Sequence, residues 1–258
     1  MSDILSTIVI IILFVISNFI NCVSSSVTGW RTPRFQILDL DGHMHPDQHL
    51  PDIGFTLTSG LLPPWVLEWE DGPQIIQSIT IYACFFFFVS HPRRLDLLRR
   101  GMVALSVLNG FRAISILITC LPDPSPICNR QWTGTTGLYK HMPIWPKLFW
   151  RALALFTSPN SHATCGDLIY SGHMVFLMVV CKLYGRYWRP SSVPVLPGWV
   201  VDGIRHGMRV LTVVGAVVIV ATRLHYTIDV LIASYLAHRV FEICDRLFDA
   251  NENLMLGP

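Results

Sequence analysis

Six apolar runs set the terms on which this chain can fold: residues of about 4–20, 75–89, 102–121, 168–184, 208–224 and 228–244. Each approaches the ~17–25 residues that a helical membrane crossing needs, although the second and last are short or interrupted. In hydrocarbon the backbone must satisfy its own hydrogen bonds, so runs of this length are expected as helices. Composition agrees, with 52% hydrophobic and only 14% charged residues against about 25% charged in soluble domains. The expected fold is all-α: a polytopic membrane protein, a six-transmembrane-helix bundle. Six spans and their loops use most of the 258 residues, so residues 1–258 are read as one membrane-embedded domain. The first run lacks a positive flank and carries Asp3, so it reads as a retained span rather than a cleaved signal.

Charge placement gives an orientation. Arg93, Arg94, Arg99 and Arg100 follow the second run and Lys182, Arg186, Arg189 and Arg205 follow the fourth, whereas the stretch between the first two runs is mostly acidic. The positive-inside rule puts both basic segments, and with six spans both termini, in the cytosol. No basic tract points to nucleic acid. The stretches 23–74 and 122–166 are rich in Pro, Gly and Trp and are expected as irregular loops or interfacial segments. Residues 148–156 are too short to cross and are expected in the interface. Cys120, Cys128 and Cys165 fall on the external side, where one disulfide and three buried thiols are both open readings.

Two motifs lie against apolar runs: Ser171-Gly172-His173, and His225-Tyr226-Thr227-Ile228-Asp229. Ionisable groups at membrane depth are costly, which marks them as a site. The topology, read from arginines, puts both histidines on the lumenal or external side. At a spacing of i and i+4, Asp229 can accept a hydrogen bond from one nitrogen of His225 and leave the other as nucleophile or base. His173 is then the general acid for a leaving oxygen and the base for an incoming hydroxyl. Chemistry of this kind at phosphorus asks for no metal and no cofactor.

The segment Cys165-Gly166-Asp167-Leu168-Ile169-Tyr170-Ser171-Gly172-His173 resembles the CGDxxxSGH motif of the sphingomyelin synthase and inositol phosphorylceramide synthase family. Likewise His225-Tyr226-Thr227-Ile228-Asp229-Val230, with Tyr235, is similar to that family's HYTxDVxxxY motif. Weaker echoes are Leu50-Pro51-Asp52, and Arg99-Arg100 followed by Arg112 and Thr119-Cys120-Leu121-Pro122. The resemblance implies a ceramide phosphotransferase related to lipid phosphate phosphatases, with His173, His225 and Asp229 as its catalytic residues. It implies ceramide and a glycerophospholipid as substrates, diacylglycerol as co-product, and a site facing the Golgi lumen or the exterior, with the endoplasmic reticulum and plasma membrane as other locations. A homo-oligomer is compatible with it. Met174 stands where animal sphingomyelin synthases usually have Thr, and Asp52-Ile53-Gly54-Phe55 with His91-Pro92 looks more like plant and protist inositol phosphorylceramide synthases, which favours phosphatidylinositol as donor over phosphatidylcholine or phosphatidylethanolamine.

Four further residues are candidate phosphate ligands, each with a structural alternative. Arg112 lies within the third run and either binds phosphate or pairs inside the bundle. Arg223 either neutralises phosphate or marks the interface. Tyr226 adjoins the triad but also suits an aromatic belt. Asp167 either positions His173 or caps a helix. His43, His45 and His49, with Asp39, Asp41 and Asp47, fit no zinc spacing and are read as a solvated loop, so no metal is expected. Lys182 with Arg189-Pro190 imitates a phosphatidic acid phosphatase element but follows SGH and is read as cytosolic. A lipid phosphatase is the runner-up; against it, Ile219 stands where those enzymes have Arg and Tyr170 replaces the Pro of PSGH. A non-enzymatic lipid binder is the third reading.

Overall fold

The computed structural model describes residues 2–31, 50–119, 121, 143–157, 168–193 and 196–256. Every regular element among them is a helix. They are α1 (Ser2–Arg31), α2 (Ile53–Leu61), α3 (Pro64–Leu67), α4 (Gly72–Ser90), α5 (Arg94–Ile118), α6 (Ile144–Thr157), α7 (Gly172–Tyr187), α8 (Gly198–Ala221) and α9 (Thr227–Leu256).

Among the described residues, four stretches are long and apolar enough to cross a membrane: Ile4–Gly29, Gly72–Ser90, Arg94–Ile118 and Gly198–Ala221. They contain or overlap the first, second, third and fifth apolar runs. The fourth and sixth runs form α7 and the first part of α9, which occupy the middle of the bundle. There α7 packs on α4, α5, α8 and α9, and α9 also packs on α5. Leu97, Ala104 and Leu108 of α5, Leu177 and Leu183 of α7, and Ala233 and Ala237 of α9 are fully or almost fully buried. The outermost long helix, α1, rests on α5 and α6 and exposes Ile4, Ile8, Ile12, Ile16 and Ile20, an i, i+4 stripe suited to lipid.

Helix ends follow local chemistry. Pro73 and Pro64 open α4 and α3, where the missing N–H costs nothing. Ser171 caps α7 by accepting from the Met174 N–H at 3.3 Å. The basic segment read as a loop after the second run is shorter than expected. Only residues 91–93 separate α4 from α5, and Arg94, Arg99 and Arg100 are helical. Asp96 explains this, pairing with Arg93 at 2.8 Å and Arg100 at 3.2 Å across one turn. The interfacial expectation for 148–156 corresponds to α6, whose Leu148, Ala152 and Leu155 are buried while Trp145, Phe149 and Trp150 are exposed.

At one end of the bundle lies an ion cluster. Arg100, 1% exposed, reaches Asp245 at 2.9 Å and Asp249 at 2.6 Å, and donates to the Tyr187 hydroxyl at 3.2 Å. Arg186 and Tyr187 also bind Asp245. His91 joins this end through Tyr187, and Lys182 pairs with Glu242. The starts of α7 and α9 lie at the other end.

Candidate active site

Two chain reversals build the site, each using a left-handed residue that is not glycine. The first precedes α7: Tyr170 has φ 41°. Its hydroxyl donates to the Leu108 carbonyl, and its own carbonyl accepts from Arg112 Nε at 3.2 Å. This conformation costs about 1–3 kcal/mol unless its surroundings impose it, and both bonds do so. The second follows α8. Arg223, φ 55°, donates its N–H to Val220 O at 3.0 Å, and Leu224 N–H reaches Ile219 O at 3.1 Å. That is the Schellman pattern, with Arg in the place glycine usually takes.

The reversals deliver the two histidines to one point. His173, on the first turn of α7, and His225, just before α9, have ring centroids 6.4 Å apart with planes at 63°. His225 is 5% exposed and Asp229 1%. The two motifs are also joined directly, since Ser171 N–H donates to the Asp229 carbonyl at 3.4 Å.

The His225–Asp229 relationship differs from the helical i, i+4 expectation. Because α9 begins at Thr227, His225 lies outside it. Nδ1 of His225 is 3.8 Å from Oδ2 of Asp229, an ion-pair distance rather than a hydrogen bond. That same oxygen accepts from the Tyr226 N–H at 3.1 Å. Among the described residues, Nδ1 of His225 has no hydrogen-bond partner. The carboxylate thus lies behind the Nδ1 edge of the ring, held there by the Tyr226 N–H. Helix starts carry partial positive charge, and those of both α7 and α9 flank this point, which favours a phosphate there.

The remaining candidates divide. Arg112, 8% exposed, lies against the start of α7: a Cβ added at Gly172 would sit 3.5 Å from its Nε and 3.6 Å from its Cζ. It also donates to Asn21 Oδ1 at 3.1 Å, so it both buttresses the turn before His173 and brings charge next to it. Arg223 is half-buried, its guanidinium 5.8 Å from the centre of the Phe55 ring. Tyr226 is buried, stacked on Phe55 at 5.5 Å, and its hydroxyl accepts from Leu50 N–H at 3.2 Å. Asp167 lies outside the described residues, as do Cys120, Cys128, Cys165 and the His43, His45 and His49 loop. His91 is remote from the site. It stacks on Phe87 and closes α4, so His91-Pro92 is a helix-ending device there.

Asp52, which the sequence marks only through the resemblances of Leu50-Pro51-Asp52 and Asp52-Ile53-Gly54-Phe55, reaches the site. Its Oδ2 accepts from Thr227 N–H at 2.9 Å, and its Oδ1 takes the Thr227 hydroxyl. Burial pushes its pKa up, but the hydrogen bonds from Thr227, Gly54 and Phe55 outweigh this and hold it below the usual carboxylate value.

Residues 164–246 match the family described as PAP2 superfamily C-terminal. The chain is 27% identical to phosphatidylcholine:ceramide cholinephosphotransferase 2 of Caenorhabditis elegans, over 85% of this chain and 62% of that protein. It is 29% identical to phosphatidylinositol:ceramide inositolphosphotransferase 3 of Arabidopsis thaliana, over 83% of this chain and 69% of that one. With phosphatidylethanolamine:ceramide ethanolaminephosphotransferase of Trypanosoma brucei brucei it shares 24% identity, over 89% and 74%. The chain spans only 38–62% of the length of the nematode relatives it matches. Residues 164–246 are thus a PAP2 superfamily C-terminal domain, and the chain's homologues are ceramide phosphotransferases.

Proposed function

We propose that this chain transfers a phospho-headgroup from a glycerophospholipid to ceramide, releasing diacylglycerol. The observation that carries the reading is the facing pair His173 and His225, with the Asp229 carboxylate behind the second ring. In this reading Nε2 of His225 attacks the donor phosphorus while the bond from phosphorus to the glycerol oxygen breaks. Protonated His173 gives its proton to that oxygen, and diacylglycerol leaves. The ceramide primary hydroxyl then gives its proton to His173 and attacks phosphorus, the phosphorus–nitrogen bond breaks, and His225 is restored. Asp229 stabilises the positive charge that His225 carries in between. Arg112 and the two helix starts offset phosphate charge, and Arg223 is a second candidate for that task.

The donor proposed is phosphatidylinositol. Met174 and Asp52-Ile53-Gly54-Phe55 support it, and relatives named for inositol, choline and ethanolamine make the other headgroups outcomes that an assay separates. Membrane topology is proposed as six spans within one membrane-embedded unit, with α7 and α9 as the fourth and sixth. At 16 residues α7 is about 24 Å long, somewhat short of the ~30 Å hydrocarbon core, but buried Leu168 and Tyr170 extend its apolar run. With the cluster of Arg100 and Arg186 in the cytosol, the histidines face the lumen of the Golgi or the exterior.

The test is labelled ceramide given to membranes containing this chain, with phosphatidylinositol, phosphatidylcholine or phosphatidylethanolamine, and the product identified by mass. Inositol phosphorylceramide is expected, and its loss in His173→Ala and His225→Ala. Release of free headgroup phosphate with no ceramide product would instead support a hydrolase with water as acceptor, and release of inorganic phosphate from added phosphatidic acid a lipid phosphatase.

A further inference from the structure

Three groups near His225 hold the backbone rather than the ring. On the N-terminal side the Schellman bonds of Arg223 and Leu224 fix the end of α8. On the C-terminal side, Asp52 grips Thr227 through both carboxylate oxygens. Between them lie Leu224, His225 and Tyr226, and Tyr226 is itself pinned by stacking on Phe55 and by the Leu50 N–H. The imidazole has no hydrogen bond at Nδ1 among the described residues, and Asp229 is 3.8 Å away. The aim of the ring toward His173 is therefore inherited from the backbone on either side.

The Asp52 carboxylate is shared between two helix starts. Oδ1 accepts from Gly54 N–H at 2.7 Å and Phe55 N–H at 3.3 Å, capping α2, while Oδ2 accepts from Thr227, the first residue of α9. Such caps are common within one helix; here a single carboxylate locks a segment 175 positions away to the residues beside His225. Gly54 makes the approach possible, since a Cβ there would overlap the Thr227 hydroxyl and Val220.

We infer that Asp52 is a positioning residue for the two-histidine reaction: by clamping Thr227 it sets the direction of His225. The inference rests on the function proposed above, so its test has one arm that does not need activity. Full-length wild type, Asp52→Ala, Asp52→Asn and Thr227→Val are compared in lipid nanodiscs, by hydrogen exchange of the 222–230 peptide and by ceramide transfer. Asp52→Ala is expected to speed exchange there about tenfold or more and to lower kcat at least tenfold with the KM for ceramide little changed. Asp52→Asn keeps one acceptor oxygen and should recover part of both, as should Thr227→Val, which keeps its N–H.

Unchanged exchange in Asp52→Ala would overturn the clamp. Faster exchange with unaltered kcat would overturn the positioning role. Equal loss of activity and of melting temperature in all three variants would make Asp52 merely structural, which also overturns it. A wild type that transfers no headgroup would overturn the functional reading, while the exchange result would still decide the clamp.

Discussion

Nδ1 of His225 stands 3.8 Å from Oδ2 of Asp229, close enough for charge to act and too far for a hydrogen bond. Two unit charges ~4 Å apart at an effective dielectric of ~20 interact by about 4 kcal/mol, which is about 10³-fold in rate if the transition state feels all of it. Asp229→Asn keeps an oxygen for the Tyr226 N–H and removes the charge. The variant should fold and lose up to ~10³-fold in single-turnover rate. Wild-type turnover in that variant would remove Asp229 from the mechanism.

The ion cluster at the opposite end predicts a stability effect without a site effect. Arg100 and Asp245 are both 1% exposed at the side chain, and Arg100 also holds Asp249 and Tyr187. Removing one partner of a buried pair costs up to about 3–5 kcal/mol when the other charge is stranded, and here, among the described residues, Arg186 alone would be left to face both Asp245 and Asp249. Arg100→Met should therefore lower the melting temperature in detergent strongly. Arg100→Met with Asp245→Asn should recover much of that loss. A double variant as unstable as the sum of the singles would show that the two charges act independently.

Much of this arrangement can be read from residue order. Apolar runs locate the long helices, and two short motifs name His173, His225 and Asp229 because polar groups beside such runs are conspicuous. Three features are not legible. The start of α5 depends on Asp96 choosing Arg93 and Arg100 as partners, whereas a count of arginines suggests a loop. The left-handed Tyr170 and Arg223 carry no glycine or asparagine signal: bonds to Leu108 and Arg112 hold the first, and the backbone bonds that end α8 hold the second. The Asp52–Thr227 clamp joins positions with no periodicity between them, so only packing reveals it.

His91 predicts a pH dependence. Its Nδ1 accepts from Arg93 N–H at 3.1 Å and its Nε2 faces the Tyr187 carbonyl at 3.3 Å, an arrangement that suits a neutral ring protonated on Nε2. Burial is the main reason its pKa is held below 6.5; Arg93 adds to this, against the Tyr187 carbonyl and Asp96. The folded chain thus takes up that proton at lower pH than the unfolded one. The stability it contributes is complete above pH ~6.5 and is lost as pH falls through the lowered value. Melting temperatures of wild type and His91→Asn should converge between pH 7.5 and pH 5. A gap that widens toward acid would contradict the neutral assignment.

Arg223 lets backbone and charge be separated. Its φ of 55° is a conformation that costs a non-glycine residue about 1–2 kcal/mol, while its guanidinium lies over Phe55 beside the histidine loop. Arg223→Gly relieves the backbone and deletes the cation; glycine's larger unfolded-state entropy offsets some of the gain. The melting temperature should hold or rise slightly, because the Schellman bonds of residues 223 and 224 use only backbone atoms. If the guanidinium offsets donor phosphate, the same variant should raise the KM for phospholipid about tenfold, a loss of roughly 1.4 kcal/mol of binding. Arg223→Lys keeps the charge and the backbone cost, so it should show the opposite pattern: lower stability relative to glycine and a nearly normal KM. Equal KM values in the glycine and lysine variants would confine Arg223 to ending α8.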